Sequence, residues 1–188
     1  MAITEVSIAN SALIKIGADR ITALSDDNKR AILCNEQFAK LRDEVLQAHL
    51  WNFAMARIEI AADATAPAFE YEKRFLLPSD VLRVFFVYPM EDEIEWKREG
   101  QYILSNEASM QIVYIKKIED TSLFSPIFAE CLALRLAQEL AYPIVQSTQI
   151  SGLMEQKYQD FLRKARSYDA QEGTPYSLTN DIFLRARY

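Results

Sequence analysis

A chain of 188 residues has the length of one domain, or of one domain carrying an inserted lobe, and its 50% apolar and 11% aromatic content excludes disorder throughout. Lys and Arg total 21 against 27 Asp and Glu, a net charge of -6, which disfavours the phosphate-neutralising surface that a dedicated duplex reader needs. The two cysteines, Cys34 and Cys131, stand far apart inside apolar helical patterns. They read as small buried thiols and exclude a disulfide framework.

The N-terminal stretch MAITEVSIANSAL has neither a basic leader nor a small-residue cleavage site. No apolar run approaches the roughly 18 residues that span a bilayer. The expectation is a soluble chain made in the cytoplasm, with no membrane partner.

Thr4 is placed to cap a first helix, in which Val6, Ala9, Leu13 and Ile16 recur at three- and four-residue spacing before Gly17 stops it. A short apolar linker, Ile21 to Leu24, follows, and Ser25-Asp26-Asp27 is rich in capping residues for a second helix from about Asn28 to His49. There Ala31, Cys34, Phe38, Leu41, Val45 and Ala48 form a seam for another helix. At 1.5 Å per residue this helix is roughly 33 Å long, and it is expected to be the spine of a bundle.

From Trp51 the 3.6-residue stripe is lost, and short β-branched and aromatic runs bounded by turn residues predict antiparallel strands. The candidates are Arg57 to Ala61, Phe69 to Phe75, Val84 to Tyr88, Ile94 to Lys97, Tyr102 to Ser105 and Gln111 to Lys116. Lys97-Arg98-Glu99-Gly100 reads as a hairpin turn, with Gly100 able to take positive φ.

Helix returns at Ser125-Pro126, a capping serine with proline in the first turn. Ile127, Cys131, Leu134 and Leu140 mark a nearly all-apolar helix, buried on most sides and ended by Pro143. A last helix from about Ser151 to Ala170 is predicted to turn Leu153, Tyr158, Phe161, Leu162 and Ala165 inward. After Gly173 the text has no helical period, yet it carries Tyr176, Leu178, Ile182, Phe183, Leu184 and Tyr188. An apolar tail of this kind needs a partner to cover it.

The predicted fold is therefore mainly α with an inserted antiparallel β-lobe (α+β). A bundle of about four helices spans 1-50 and 122-172, the lobe spans 51-121, and an extended C-terminal arm spans 173-188. Residues 125 to 188 hold seven basic and seven acidic side chains, so the whole -6 falls on residues 1 to 124, densest at Glu91-Asp92-Glu93 and Glu95.

Enzyme motifs are nearly absent. His49 is the only histidine, which excludes H-E-x-x-H zinc sites. At a helix end it is best read as satisfying terminal carbonyls and suiting the dipole. Four glycines, at 17, 100, 152 and 173, form neither a G-x-G-x-x-G nor a Walker loop, and two lone cysteines do not supply a structural zinc site. No cofactor is expected. Trp51 and Phe53 read as core, while Trp96 and Tyr102 stay open between lobe core and contact face. Glu91, Asp92, Glu93 and Glu95 read as a solvated rim, although paired carboxylates beside aromatics also suit a glycan-binding or glycan-hydrolysing module.

Several segments taken in order resemble the head-to-tail adaptor family of short-tailed bacteriophages, also called the gatekeeper or tail tubular protein A. They are Ile14-Lys15-Ile16-Gly17-Ala18, Ile21-Thr22-Ala23-Leu24 with Ser25-Asp26-Asp27, and Leu41 to Leu46 running into His49-Leu50-Trp51-Asn52-Phe53-Ala54. Tyr71, Leu77-Pro78-Ser79-Asp80-Val81-Leu82-Arg83, Ser125-Pro126, Leu140-Ala141-Tyr142-Pro143 and Tyr168 to Gly173 complete the series. Leu50 stands where the family commonly has proline, so a less abrupt exit from the second helix is expected.

The resemblance implies a non-enzymatic virion protein of the tail or neck. In the family it forms a dodecameric ring on the portal protein, receives the tail nozzle protein, and surrounds a channel through which DNA passes without specific binding. On this reading Tyr176, Leu178, Ile182, Phe183, Leu184, Arg185, Arg187 and Tyr188 form the portal-binding arm. Glu93, Glu95, Trp96 and Tyr102 then lie on the nozzle-facing lobe. An extended tail of 16 residues reaches roughly 50 Å at ~3.3 Å per residue, and twelve copies at -6 each total -72, a charge that does not grip passing DNA.

Overall fold

The computed structural model describes residues 2–88 and 94–171. Four helices and two three-stranded antiparallel sheets form a helix-rich α+β fold in which the strands are inserted between the second and third helices. Helix α1 (Glu5–Lys15) begins as its sequence dictates. The Ser7 N–H donates to Thr4 Oγ1 at 3.1 Å and the Thr4 N–H donates to Ser7 Oγ at 2.9 Å, a reciprocal cap that satisfies two orphan donors. Gly17, at φ +77°, turns the chain out of the helix. Asn10 then pins the linker to α1 by exchanging two hydrogen bonds with the Ile21 backbone at 2.8 and 2.9 Å.

Helix α2 (Lys29–Ala48) buries Ala31, Cys34, Phe38, Leu41 and Val45, as its seam predicts. Its cap is Asn28, whose Oδ1 accepts from the Ala31 N–H at 3.0 Å. The carboxylate of Asp26 instead holds the linker, accepting from the N–H groups of Thr22 and Ala23. The helix stops abruptly at Ala48 even with Leu50 in place of proline, because His49 is already extended at φ -147°.

The spine of the bundle is α3 (Pro126–Leu140) rather than α2. Helices α1, α2 and α4 all pack on α3, whereas α1 and α2 barely meet. Composition explains this: α3 buries Phe128, Cys131, Leu132, Ala133, Leu134, Leu136, Ala137 and Leu140, an apolar surface wide enough for three neighbours, with Glu130 and Glu139 left towards solvent. The alanines among them let neighbours approach closely. Ser125 caps α3, with Pro126 in its first turn. A wider π turn (Ala141–Val145) containing Pro143 ends it, and left-handed Gln146 at φ +54° reverses the chain.

Helix α4 (Thr148–Gln171) presents Met154, Tyr158, Leu162 and Ala165 to α3, with Phe161 partly buried beside them. Leu153 is half exposed, contrary to expectation. The inward row steps back by four from Tyr158 to Met154, which leaves Leu153 about 100° off the seam.

Strand β1 (Met55–Ala61), β6 (Ser109–Lys116) and β3 (Val81–Tyr88) form one sheet in that spatial order, and β2 (Lys73–Leu76), β5 (Tyr102–Ser105) and β4 (Trp96–Glu99) form the other. The expected strand from Phe69 to Phe75 shrinks to β2. Phe69 is 79% exposed and Glu70 takes a positive φ of 74°, which no regular strand accommodates. The turn between β4 and β5 is shorter than expected: Lys97, Arg98 and Glu99 are paired strand residues, Glu99 lies opposite Tyr102, and only Gly100, at φ +58°, and Gln101 make the turn.

The two sheets enclose a small core of Phe75, Leu77, Val84, Val87, Ile103, Met110, Ile112 and Tyr114. Strand β6 is apolar on both faces because it serves two cores: Met110, Ile112 and Tyr114 face the other sheet, while Ile115 joins the helical core. An aromatic group at the junction ties the halves together. Trp51 and Phe53 both lie 5.2 Å from Phe128, and Phe124 lies 4.7 Å from it, in edge-to-face geometry.

Candidate functional site

The predicted arm residues Tyr176, Leu178, Ile182, Phe183, Leu184, Arg185, Arg187 and Tyr188 lie outside the described residues, as does Glu93. Their point of departure is described, at the end of α4. A helix end leaves up to four carbonyls without intrahelical donors, and here the ends of α2 and α4 lie side by side and supply each other.

Trp51 Nε1 donates to the Val45 carbonyl at 2.9 Å, and Arg166 from α4 donates to the Ala48 carbonyl at 3.0 Å. In return Asn52 Nδ2 donates to the Asp169 carbonyl at 2.9 Å, and the Asn52 N–H donates to the Asp169 carboxylate at 3.2 Å. His49 therefore does not serve the α2 carbonyls, as its position in the sequence suggests. Its Nε2 lies 3.0 Å from Asp169 Oδ2, close enough for charge attraction but without an aligned hydrogen bond. Burial lowers the His49 pKa below its ordinary value, Asp169 pulls against this, and Arg166 adds to it.

Neither periodicity nor spacing in the sequence marks Asn52, Arg166 and Asp169 as a group. Asp169 lies within the Tyr168 to Gly173 segment that carries the family resemblance, but nothing in periodicity tells a solvated helix-end carboxylate from one bound 117 positions away.

On the lobe, Glu95, Trp96 and Tyr102 are placed by the β4–β5 hairpin. Buried Ser105 donates its hydroxyl to the Glu95 carbonyl at 2.8 Å and so fixes the start of β4. Trp96 lies opposite Ser105, and Tyr102 lies opposite Glu99. Side chains alternate along a strand, so Trp96 falls on the side of Phe75 and Ile103, and Tyr102 falls on the reverse side with Leu76 and Glu99. The two aromatics do not form one stacking platform.

The reverse side is salted instead. The Arg74 guanidinium sits 4.5 Å from the Tyr102 ring centroid and 3.4 Å from Asp63. The Thr65 N–H, and then Arg74, hold the Asp63 carboxyl below the usual carboxylate range. Lys97 bonds Glu99 at 3.3 Å, and this bond with nearby Glu70 raises its pKa. Every residue of β4 is exposed, and such charges suit an edge strand that must not pair at random.

Among the described residues, two of the surface grooves stand out. One, of about 340 Å³, lies between α1, α3 and α4 over Leu134 and Phe161, with Lys15 bonded to Glu130 at 2.8 Å on its rim. The other, of about 250 Å³, runs along the outer side of the β1–β6–β3 sheet between Arg57, Glu59 and Tyr88. Cys34 and Cys131 are free and buried, and burial pushes their pKa values up to about 11 and about 12.

Among the described residues no group of three or more His, Cys, Asp or Glu side chains is placed to hold a metal ion. Among the same residues no helix is long and apolar enough to cross a membrane. No protein-family model matches this chain, and no curated protein matches it either.

Proposed function

We propose that this chain is a structural adaptor of the head-to-tail type. Twelve copies form a ring on a portal protein, and the ring receives the tail nozzle protein on its other side. It surrounds a channel through which DNA passes without specific binding, and it acts in the neck of the virion without catalysing a reaction. The arm from 173 to 188 is the portal-binding element, and the lobe carrying Glu93, Glu95, Trp96 and Tyr102 faces the nozzle.

The observation that carries this reading is the interlock of the α2 and α4 ends. Asp169 and Arg166 are bound to Ala48, His49 and Asn52, so this part of the last helix is held beside the junction of bundle and lobe. An arm rooted on rigid structure loses less entropy on docking than one rooted on a loose end. Its apolar side chains then offset the ordering of the arm itself. The order of family-like segments along the chain supports the same reading.

A glycan-directed module has less support. It needs carboxylates held at a set separation across a bond and a shared stacking face, and the alternation of β4 and β5 divides Trp96 from Tyr102. Electron microscopy of the chain mixed with its portal tests the proposal. The expected image is one added ring on one face of the portal. Portal particles unchanged by a tenfold excess of the chain would refute it.

A further inference from the structure

We infer that the loop between β1 and β2, residues 62–72, is a knob that seats Phe69 in the lysine-rimmed groove between α1, α3 and α4 of a second copy of this chain, so that each copy gives one knob and receives another. The inference deepens the adaptor reading and rests on it only for the number of copies that close a ring.

The knob is an apolar tip with acidic flanks. Phe69 is 79% exposed, and Ala66, Ala68, Glu70 and Glu72 around it are exposed as well. The loop carries three acidic side chains, Asp63, Glu70 and Glu72, and no basic one. It is braced at both ends. The Asp63 N–H donates to the Arg74 carbonyl at 2.8 Å, and the Glu72 N–H donates to Asn106 Oδ1 at 2.9 Å. Beside Phe69 the Tyr71 N–H donates to the Phe69 carbonyl at 2.9 Å, a tight turn about Glu70. A side chain presented on a braced loop loses little entropy when it docks.

The groove is the counterpart. Its floor is Leu134 and Phe161, and Lys15, Lys157 and Lys164 stand around about 340 Å³ of space. Lys15 is committed to Glu130, and Asp160 to Arg163. Lys157 and Lys164 are exposed and bond to no other described residue. At 3.6 residues per turn, Leu153, Lys157, Phe161 and Lys164 fall within about 80° of arc on α4, so the half-exposed Leu153 extends the apolar floor between the two lysines. On a chain of net charge -6, a groove with two uncommitted lysines selects an acidic surface. Phe69 then covers Phe161 and Leu134 while Glu70 and Glu72 meet Lys157 and Lys164.

The knob does not serve its own groove. Strand β1 starts at Met55, beside the helical core, and ends at Ala61, roughly 20 Å away at ~3.3 Å per residue, and the loop is braced there with Phe69 in the open. Because knob and groove are different surfaces, the contact is heterologous and repeats as a ring or a filament. One phenylalanine with its flanks buries much less than the ~1,200 Å² of a stable interface. Free subunits therefore associate weakly, and copies held side by side on a partner associate strongly.

Exchanging the charges of the two surfaces tests the pairing. In sedimentation velocity from about 10 to about 500 µM at low salt, the full chain should gain mass with concentration and lose it again as salt screens the pairs. Phe69→Ser should weaken association about tenfold. Lys157→Glu/Lys164→Glu and Glu70→Lys/Glu72→Lys should each stay monomeric with unchanged circular dichroism, because groove and knob then carry the same sign. An equimolar mixture of the two should return to within about threefold of the unaltered chain, since each groove meets the opposite charge on the other variant's knob. An unaltered chain that is monomeric throughout overturns the inference. So does association that Phe69→Ser leaves intact, or a mixture that stays monomeric. These measurements omit the portal, so their failure refutes this inference alone, whereas a portal that gains no ring while the mixture still associates refutes the adaptor reading.

Discussion

The bundle and the lobe bury their residues by different means. Around α3, among the described residues, thirty buried residues form one cluster, built mostly from helices whose hydrogen bonds are local. Between the sheets eight residues do the same work, held by strands paired across long stretches of chain, with β4 wholly exposed at one edge. A small core gains less from burial, at about 25 cal/mol per Å² of apolar surface. The lobe is therefore the part expected to open first, and the bundle the part that sets global stability.

Truncating one large side chain in each region breaks or sharpens this contrast most strongly. Trp51 is buried against Phe128 and donates to Val45. Trp51→Ala removes packing and a hydrogen bond, at an expected cost of about 3–5 kcal/mol in denaturant unfolding monitored by helical circular dichroism. Phe75→Ala in the lobe has a similar local cost. Its signature should differ: hydrogen exchange accelerates in β2, β3, β5 and β6 while α1 and α3 keep their protection. Equal acceleration in both regions would show that lobe and bundle unfold as one unit.

Capping comes next. Thr4→Ala removes the reciprocal cap of α1 and should cost ~1 kcal/mol, measured as a lower denaturation midpoint at unchanged slope. Asn28→Ala, at the start of α2, should cost about as much. A change in slope would mean that the cap reports on more than one transition.

The smallest effect concerns pH. Burial holds the His49 pKa below its value in the unfolded chain, so the fold favours the neutral ring. The resulting stability is complete above an unfolded pKa of about 6.5 and is lost as pH falls through the depressed folded value. Stability should therefore decline from pH 7 towards pH 5, and His49→Gln should flatten that decline. Asp169 opposes the shift, which keeps the effect modest. A rise in stability on acidification would reverse the assignment and make the His49–Asp169 ion pair dominant.

Much of this fold is legible in the sequence because local rules decide it. Thr4, Ser125 with Pro126, Gly17 and Gly100 act where they stand in the chain, and the period of α2 reports its buried side directly. Three features are not legible for one common reason: they depend on partners distant in sequence. Choosing α3 as the spine takes knowledge of which helices meet. The one-residue rotation that replaces Leu153 by Met154 is set by packing against α3 and the π turn. The interlock at Asp169 is of the same kind, since each partner alone is an ordinary polar residue at a helix end.

The central claim is that the arm rooted at this interlock joins the subunit to a portal ring. Titration of portal with the full chain, and with a chain ending at Glu172, measures it directly through the mass of the complex. The account predicts twelve full-length copies per portal ring and none of the shortened chain, with α-helical content retained in both. Saturation by the shortened chain at the same stoichiometry would contradict it.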